Sequence, residues 1–284
     1  MIDKFKTFEK WPLSESVNRI GEGGNRLKYG KKTIHKNQPL ISIITVTYNG
    51  EKHIEETFKS VFGQTYKNFE YIVIDGGSSD QTLKLIRKYE DKIDYWLSEK
   101  DLGIYDAFNK GMQLCQGDYL GFINSDDVYE ANTLETLLKY INKNQDADFI
   151  FGSVKKHWGI LHGYKPWKIF YSWGFYSSHS TGFFIKTESA KKVGLYNLKY
   201  KYSSDYDYFF RMIVKKKMKG IGVPKEKIFG VFRRGGFSSS VKFLDHFKEE
   251  MTIRNDNNQN KVLILLIIIY KSIRHLKKII KEII

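Results

Sequence analysis

Short apolar runs rich in β-branched residues alternate with amphipathic helical segments through residues 39–154. The runs 41–46 and 71–74 are continuously apolar, as strands buried on both faces are, whereas Ile54, Phe58 and Val61 recur between them at helical spacing. Such a strand–helix–strand order places successive strands side by side in one parallel sheet. The sequence therefore predicts an α/β fold with a mostly parallel central sheet flanked by helices. Further strands are predicted at YWLS, YLGFIN and DFIFGSV, and helices near 51–62, 80–89, 105–115 and 133–141.

The chain is strongly basic. Its 284 residues carry a formal net charge of +15, from 47 Lys and Arg against 32 Asp and Glu. This charge attracts polyanions, which include nucleic acid, anionic membranes and phosphorylated small molecules. Because the lysines are spread along the chain and no nucleic-acid-reading motif is present, we expect no nucleic-acid partner. Cys115 is the single cysteine, which excludes an intrachain disulfide.

Composition divides the chain into three segments. Residues 1–38 are polar and contain several glycines, and they predict an irregular N-terminal extension. Residues 39–240 form the α/β domain, and residues 241–284 form a basic amphipathic helical tail. Beyond Val154, aromatic and glycine residues replace the alternation, and helices are predicted near 187–193 and 205–217. The first residues lack the apolar stretch of a secretory signal, which predicts a cytoplasmic protein.

The tail begins with an uninterrupted apolar run at 262–270 and continues with alternating apolar and basic positions. This run is too short to cross a bilayer, which needs about 20 residues. Two interpretations remain open. The tail is either a helix that lies on an anionic membrane, at the inner face of the plasma membrane, or a helix that packs on the domain with a solvated basic face.

Two adjacent carboxylates, Asp126 and Asp127, follow the predicted strand YLGFIN. Open α/β sheets bind their ligands at this edge. Carboxylates here suit a hard cation such as Mg²⁺ or Mn²⁺, which can bridge a carboxylate to a diphosphate and neutralise charge as the phosphate leaves. The alternative is that the pair only caps a following helix, since Asp is favoured in a first turn.

Polar residues also follow the first two strands. Thr47, Tyr48 and Asn49 come after the first strand, and Asp75 comes after the second, followed by two glycines and two serines. An Asp at a strand end can accept hydrogen bonds from a base or a ribose, and glycines let the backbone approach a ligand. Neither segment is a GxGxxG or a Walker loop, which argues against a dinucleotide enzyme or an ATPase. A glycine-rich turn capped by Ser79 is the alternative.

Five motifs, in order and spacing, resemble those of family 2 glycosyltransferases in the branch that makes cell-surface polysaccharides such as lipopolysaccharide or capsule. The resemblance spans residues 39–215. It implies a GT-A fold with a Rossmann-like nucleotide-binding half, a nucleotide-sugar donor that is commonly UDP-linked, a divalent metal (Mn²⁺ or Mg²⁺), and transfer with inversion to a glycan or lipid-linked acceptor. The motifs are PLISIITVTYNG, YIVIDGGSSDQT, SEKDLGIYDAFNKG, QGDYLGFINSDD and SSDYDYFFRM.

The same resemblance implies roles for individual donor-site residues. Asp127 would contact the metal directly, and Asp126 would serve the metal and the donor. Asp75 would recognise the base, and Thr47, Tyr48 and Asn49 would lie against the nucleotide. The residues that would border the ribose, phosphates and sugar are Glu99, Asp101, Gly103, Asp106 and Lys110.

Inverting transfer requires a carboxylate that removes the proton from the acceptor hydroxyl. The family has an acidic pair, often Glu-Asp, before an apolar helix that contains an arginine. In this chain Asp205 takes the position of the base, and Ser204 replaces the usual first acid. Asp207 is the alternative base, or it fixes the helix by pairing with Arg211. Both acids could also serve only as charges at a helix N-terminus.

Other features suggest acceptor or phosphate contacts. His179 could hydrogen-bond the acceptor or a phosphate, although an isolated His is often structural. Arg233 and Arg234 precede two glycines and could close over a diphosphate, or they form a solvated basic turn. The aromatic stretch 158–176 predicts either a sugar-stacking acceptor wall or core.

Three other functions compete with glycosyl transfer. A catalytically silent nucleotide- or carbohydrate-binding module could keep the fold without the reaction. A sugar nucleotidyltransferase would release pyrophosphate, whereas a glycosyltransferase releases a nucleoside diphosphate. A binder driven by charge alone would ignore the acidic residues and would dissociate in salt.

Overall fold

A large mixed sheet with helices on both faces forms the centre of the protein in the computed structural model, which describes residues 18–30, 32, 38–171, 180–233 and 241–284. The strands are β1 (Arg19–Gly23), β2 (Ile41–Thr47), β3 (Phe69–Asp75), β4 (Tyr95–Glu99), β5 (Tyr119–Asn124), β6 (Val128–Tyr129), β7 (Phe149–Phe151), β8 (Ser153–Lys156), β9 (Gly159–Leu161), β10 (Phe183–Lys186), β11 (Gly220–Gly222) and β12 (Ile228–Val231). The helices are α1 (Asn25–Tyr29), α2 (Ile54–Phe62), α3 (Thr82–Lys88), α4 (Ile104–Leu114), α5 (Thr133–Lys143), α6 (Thr187–Val193), α7 (Ser204–Phe210), α8 (Phe243–Asp256), α9 (Lys261–Arg274) and α10 (Leu276–Ile283).

The large sheet has the strand order β1-β4-β3-β2-β5-β10-β7-β11. Its central pairs β4·β3, β3·β2 and β2·β5 are parallel. β10 runs antiparallel between β5 and β7, while β7 and β11 are parallel. The mostly parallel α/β sheet predicted from the sequence is therefore confirmed. Because β2 to β5 run in one direction, all four end at the same edge.

Apolar clusters lie on both faces of this sheet. One contains Phe58 of α2 and Leu137 of α5, and the other contains Phe108 of α4 and Phe209 of α7. Ile54, Phe58 and Val61 are fully buried, as their helical spacing predicts. Full burial of one such side chain contributes about 1.5–3 kcal/mol. The two clusters hold helices against both faces of the strands that carry the site.

The described part of the N-terminal segment is more regular than its composition indicates. β1 pairs antiparallel with β4 at the edge of the large sheet. Arg26 of α1 is buried and lies 2.6 Å from Glu70, and it also donates to the backbone carbonyl of Leu114. A buried charge requires partners of this kind, so the pair anchors α1 to the domain. Glycine-rich residues without periodicity concealed this strand in the sequence.

The C-terminal segment forms three helices instead of one amphipathic tail. The first of them, α8, lies within the predicted helical segment 241–284 and packs on α7. Glu250 of α8 pairs with Arg254 at 2.7 Å and with Lys271 of α9 at 2.6 Å, and the three side chains are at most 4% exposed. The opposite side of α9 and α10 is apolar and exposed. These exposed residues are Val262, Leu265, Leu266, Ile269, Tyr270, Ile273, Leu276 and Ile280.

Within the described ranges, no helix is both long enough and apolar enough to cross a bilayer.

The helix predicted at 205–217 differs from the structure. α7 covers its first part and a π-helical turn, Arg211–Lys215, continues it.

Candidate functional site

The last residues of four neighbouring strands bring polar side chains to one edge of the sheet. Thr47 ends β2, Asp75 ends β3, Glu99 ends β4 and Asn124 ends β5. The order β4-β3-β2-β5 makes β2 the point from which the chain winds in both directions. Open α/β sheets bind ligands outside the carboxyl ends of their strands at such a point. The predicted donor residues therefore lie along one edge.

Asn49 connects the loops that follow β2 and β3. Its side-chain oxygen accepts a hydrogen bond from the Ser79 amide at 2.9 Å, and its own amide donates to the Ser78 hydroxyl at 2.8 Å. Its backbone is left-handed, with φ of 49°, which Asn tolerates better than most residues. The adjacent Tyr48 is 64% exposed. The two loops thus form one unit that presents an aromatic ring to solvent.

Asp75 is fully buried behind this unit. Its carboxylate accepts hydrogen bonds from the Ser98 hydroxyl at 2.6 Å and from the Ser78 amide at 3.1 Å. The next residue, Gly76, has no room for a side chain, since a Cβ there would lie 2.4 Å from Asp101 Oδ2. Burial raises the pKa of Asp101 above its ordinary value. The carboxylate of Asp101 therefore packs against the backbone of Gly76, the residue that follows Asp75.

Charged residues surround the start of α4. Gly103, with φ of 115°, precedes this helix. Lys110 lies 2.9 Å from Glu99 and 3.3 Å from Asp106, and Arg19 of β1 lies 3.4 Å from Glu99. The ammonium group of Lys110 thus sits between two carboxylates at the strand edge, where it partly offsets their charge.

Asp126 and Asp127 have different environments. Asp127 is fully buried, and its oxygens accept hydrogen bonds from the Thr181 hydroxyl at 2.6 Å and the Arg233 amide at 3.1 Å. Burial, together with the negative charge of Asp126, raises the pKa of Asp127 to about 7. Asp126 is half-buried, and its pKa is raised by burial, with His53 and Arg233 opposing the rise. Asp126 is thus the more accessible carboxylate.

The two carboxylates do not cap a helix. They precede β6, and the next helix, α5, has Asn132 at its N-cap position. The interpretation of the pair as helix-capping residues is therefore wrong. β6 pairs with β12, which leads to Arg233, and this pairing brings the Arg233 amide to Asp127.

The neighbourhood of this pair offers further oxygen ligands. Thr47 Oγ1 and Asn124 Oδ1 are buried and have no hydrogen-bond partner in the part of the chain that the structure describes. A Cβ on Gly50 would lie 2.4 Å from Thr47 Oγ1 and 3.0 Å from the Ser125 hydroxyl, so only glycine leaves this space open.

Protein carboxylates alone do not complete a metal site here. Among the described residues, no group of three or more His, Cys, Asp and Glu could hold an ion. Mg²⁺ is commonly bound by one or two carboxylates together with water and substrate phosphates. Asp126 and Asp127 would suit an ion of this type, and Asp127 would have to give up one of its present hydrogen bonds to bind it.

Asp205 lies in the first turn of α7 and is half-buried. Its Oδ1 accepts hydrogen bonds from the Tyr105 hydroxyl at 3.2 Å and from the Tyr206 amide at 2.8 Å. Tyr105 is in the first turn of α4, beside Asp106. The start of α4 therefore connects the donor edge of the sheet to the carboxylate on α7.

Asp207 has a different environment from Asp205. It is 3% exposed, and its two oxygens accept hydrogen bonds from Arg211 Nε and from Asn257 Nδ2, each at 2.9 Å. Arg211 also donates to the backbone carbonyls of Val193 and Leu195. Asp207 thus joins α7 to neighbouring segments.

Arg233 extends its guanidinium group towards α2. It lies 3.0 Å from His53 Nδ1 and pairs with Glu56. His53, Glu56 and Thr181 were missed in the sequence, where no motif distinguishes them from ordinary helix or loop residues. His179 and Arg234 lie outside the described residues.

The aromatic stretch 158–176 is only partly described, up to residue 171. Trp158 and Trp167 are 60% and 56% exposed, and Phe170 and Tyr171 are also exposed. The interpretation of these four residues as core is therefore wrong.

Comparison with known proteins gives consistent matches. The family model described as "Glycosyl transferase family 2" matches residues 42–217. An uncharacterized glycosyltransferase of Rickettsia typhi is 31% identical over 188 residues, which are 62% of this chain and 59% of that protein. A PGL/p-HBAD biosynthesis glycosyltransferase of Mycobacterium bovis is 29% identical over 195 residues, which are 61% of this chain and 69% of that protein. The chain thus spans about three fifths of the Rickettsia relative.

Solved structures share the fold. Staphylococcus aureus TarS (residues 1–349), in complex with UDP-GlcNAc, has a TM-score of 0.61 at 20% identity, covering 84% of this chain and 72% of that chain. The mannosyltransferase PcManGT from Pyrobaculum calidifontis, in complex with GDP-Man and Mn²⁺, has a TM-score of 0.59 at 15% identity, covering 86% and 72%. This likeness confirms the predicted GT-A architecture.

Proposed function

The chain belongs to glycosyltransferase family 2, and from this premise we propose that it is an inverting hexosyltransferase with a UDP-linked donor. One observation carries the proposal. Asp75, Asp101 and Asp126 lie along the strand edge, and a separate carboxylate, Asp205, is joined to that edge through Tyr105. An attack opposite to the leaving group requires a base on the other side of the sugar from the diphosphate, and a carboxylate on a separate element can supply it.

The donor nucleotide binds to the loops after β2 and β3 in this proposal. The exposed ring of Tyr48 offers a face on which a base can stack. The buried carboxylate of Asp75 and the half-buried carboxylate of Asp101 lie next to glycine backbone that a base or ribose can approach closely. A UDP-linked donor is supported by TarS, which shares the fold and is in complex with UDP-GlcNAc.

The diphosphate lies near Asp126, His53 and Arg233. A Mn²⁺ or Mg²⁺ ion held by Asp126 and Asp127 would supply positive charge that neutralises the departing diphosphate. The guanidinium group of Arg233 and the ring of His53 add positive charge or hydrogen bonds on the same side. The neighbour PcManGT, which is in complex with GDP-Man and Mn²⁺, supports the need for an ion.

Asp205 accepts the proton in the transfer step. The acceptor oxygen forms a bond to the anomeric carbon as its proton passes to Asp205, and the bond from that carbon to the diphosphate oxygen breaks on the opposite face. The nucleoside diphosphate is the leaving group. The hydroxyl of Tyr105 holds the carboxylate of Asp205 in place for this step.

The acceptor is a glycan or lipid-linked glycan of a surface polysaccharide, such as lipopolysaccharide or capsule. Trp158, Trp167, Phe170 and Tyr171 present exposed aromatic surface that suits the C–H faces of sugar rings. A lipid-linked acceptor places the enzyme at the inner face of the plasma membrane, in the cytoplasm.

The exposed apolar side of α9 and α10 fits such a membrane surface. Residues 261–284 contain six Lys and Arg and a single acid, Glu282. Glu282 accepts hydrogen bonds from the amides of Phe243 and Leu244 at the start of α8. A second copy of the same surface would bring like charges together, whereas anionic lipid complements them. We therefore propose that α9 and α10 lie on anionic lipid.

Replacing Leu266 and Ile273 together by Gln is expected to lower binding to phosphatidylglycerol-containing vesicles by about tenfold or more. Both side chains are more than half exposed, so the fold should persist. Vesicle sedimentation measures the effect, with Leu27→Gln on α1 as the matched control, since Leu27 is also exposed. Unchanged sedimentation of the double variant would show that the tail is not the anchor. If the wild-type protein forms a dimer and does not bind vesicles, this face binds a second copy of the chain instead of lipid.

Isothermal titration of UDP and of GDP, with and without Mn²⁺, tests the donor site. We expect UDP to bind more tightly with Mn²⁺ and Asp127→Ala to remove that gain.

Turnover assays then separate the competing functions. Release of a nucleoside diphosphate supports glycosyl transfer, release of pyrophosphate from a nucleoside triphosphate supports a nucleotidyltransferase, and binding without turnover supports a silent module. Binding of neither nucleotide contradicts the proposed donor.

A further inference from the structure

The backbone that precedes Asp205 is held by a helix outside the residues matched by the family model. α8 begins at Phe243, beyond the match at 42–217. Glu249, in the middle of α8, accepts hydrogen bonds from three consecutive backbone amides, those of Lys201, Tyr202 and Ser203, at 2.5, 2.7 and 2.6 Å. Charge-assisted hydrogen bonds of this kind are stronger than neutral ones. One carboxylate therefore orders the chain just before α7.

Other side chains near Glu249 bind the same segment. His246 Nδ1 lies 3.1 Å from the Ser203 hydroxyl. Asp256 accepts a hydrogen bond from the Tyr200 hydroxyl at 2.7 Å and pairs with Lys199 at 2.5 Å. Because these contacts flank those of Glu249, α8 follows the segment along its length.

Tyr202 links Glu249 to Asp205. The amide of Tyr202 donates to Glu249, and its carbonyl accepts a hydrogen bond from the Tyr105 hydroxyl at 3.1 Å. The same Tyr105 hydroxyl, whose single hydrogen is shared between the two acceptors, lies 3.2 Å from Asp205 Oδ1. A displacement of Tyr202 would therefore move the group that holds the carboxylate of Asp205.

We propose that Glu249 is a positioning residue for Asp205, which makes α8 part of the transfer machinery. The inference rests on the proposed role of Asp205 as base. Residues 194–203 contain no helix or strand, so their conformation depends on contacts such as those of Glu249. Transfer is sensitive to this conformation because a displacement of about 1 Å can lower a rate by roughly 100-fold. In our proposal the donor nucleotide binds at the loops after β2 and β3, which Glu249 does not contact, so donor binding should not depend on this conformation.

Hydrogen exchange on Glu249→Ala and Glu249→Gln tests the structural half of the inference. The amides of Lys201, Tyr202 and Ser203 should exchange faster in Glu249→Ala, while those of α5 stay protected. Glu249→Gln keeps one acceptor oxygen and should show an intermediate effect. Glu226→Ala is the matched control, because Glu226 is an exposed acid in the turn before β12. Unchanged exchange at these three amides in Glu249→Ala would overturn the inference.

Kinetics on the same variants tests the functional half. UDP release from UDP-GlcNAc, UDP-glucose and UDP-galactose is measured with water as the acceptor. For Glu249→Ala we expect kcat to fall by about 10- to 100-fold with the donor KM and UDP affinity unchanged, and for Glu249→Gln a partial recovery. Faster exchange with an unchanged kcat, or an equal loss in Glu226→Ala, would overturn the positioning role. A wild type that neither binds UDP nor releases it refutes the proposed function itself, and the inference with it.

Discussion

Asp205→Asn is expected to lower transfer by about 10²- to 10⁴-fold while UDP affinity and Tm stay nearly unchanged. Asparagine has the shape of aspartate and can still accept the hydrogen bond from Tyr105, but it cannot take the acceptor proton. Asp205 is half-buried, so the loss of its charge should cost little stability. The change should therefore appear in kcat, and titration of UDP with Mn²⁺ should match the wild type.

Asp207→Asn provides the matched control, because the two carboxylates are on the same helix. Asp207 pairs with Arg211 at 2.9 Å, and both side chains are at most 9% exposed. Breaking a buried pair by removing one partner costs about 3–5 kcal/mol. This variant should lose stability, measured as a lower Tm, and its folded fraction should keep catalytic activity. If the folded Asp207→Asn protein is inactive and Asp205→Asn is active, the base has been assigned to the wrong residue.

Asp127→Asn is expected to stabilise the metal-free protein at high pH and to abolish the effect of Mn²⁺ on UDP binding. Burial, together with the negative charge of Asp126, raises the pKa of the Asp127 carboxyl from its ordinary value of 3.8 to about 7 in the folded chain. Between these values the folded state retains a proton that the unfolded state has lost. The contribution of Asp127 to stability is therefore fully present below pH 3.8 and is lost as pH rises through about 7, a change on the order of a few kcal/mol.

Thermal unfolding in EDTA at several pH values measures this contribution. The wild type should lose more stability than Asp127→Asn between pH 4 and pH 8, because asparagine carries no charge to bury. Mn²⁺ binds the ionised carboxylate, so in its presence the wild type should be more stable than Asp127→Asn. The affinity of the wild type for Mn²⁺ in the presence of UDP should rise with pH. Asp126→Asn serves as the comparison at the more accessible position. If the stability of the wild type and that of Asp127→Asn depend on pH in the same way, the raised pKa of Asp127 is contradicted.

Sequence periodicity was sufficient for the central sheet, because β2 to β5 are defined by short-range features. Continuous apolar runs and the helical spacing of Ile54, Phe58 and Val61 depend only on neighbours in the chain. The polar residues at the strand ends follow from the same pattern, since parallel strands that end together place them at one edge. Only the boundaries shifted: the helix predicted at 51–62 begins at Ile54, after a turn.

Long-range contacts were invisible to the same reasoning. The segment with β1 and α1 lacks periodicity, and Arg26 is stabilised by Glu70, a residue 44 positions away. α8 is polar on most sides, so no apolar stripe marked its bounds within the predicted helical tail. Its functional residue in our proposal, Glu249, binds amides about 46–48 positions earlier in the chain. Neither Glu249 nor the segment 201–203 belongs to a sequence motif that would have indicated this contact.

The sequence by itself determined the family, the parallel sheet and the edge at which the site residues gather. Only the tertiary structure decided how neighbouring acids differ. Asp126 and Asp127 are equivalent in any local pattern, but Thr181 and Arg233, 54 and 106 positions from Asp127, donate hydrogen bonds to Asp127 in its buried position. Asp207 is likewise set apart from Asp205 by Asn257, 50 positions away. The pKa of a carboxylate and its accessibility to a ligand depend on burial and on hydrogen-bond donors. These are supplied by segments that meet only when the chain has folded.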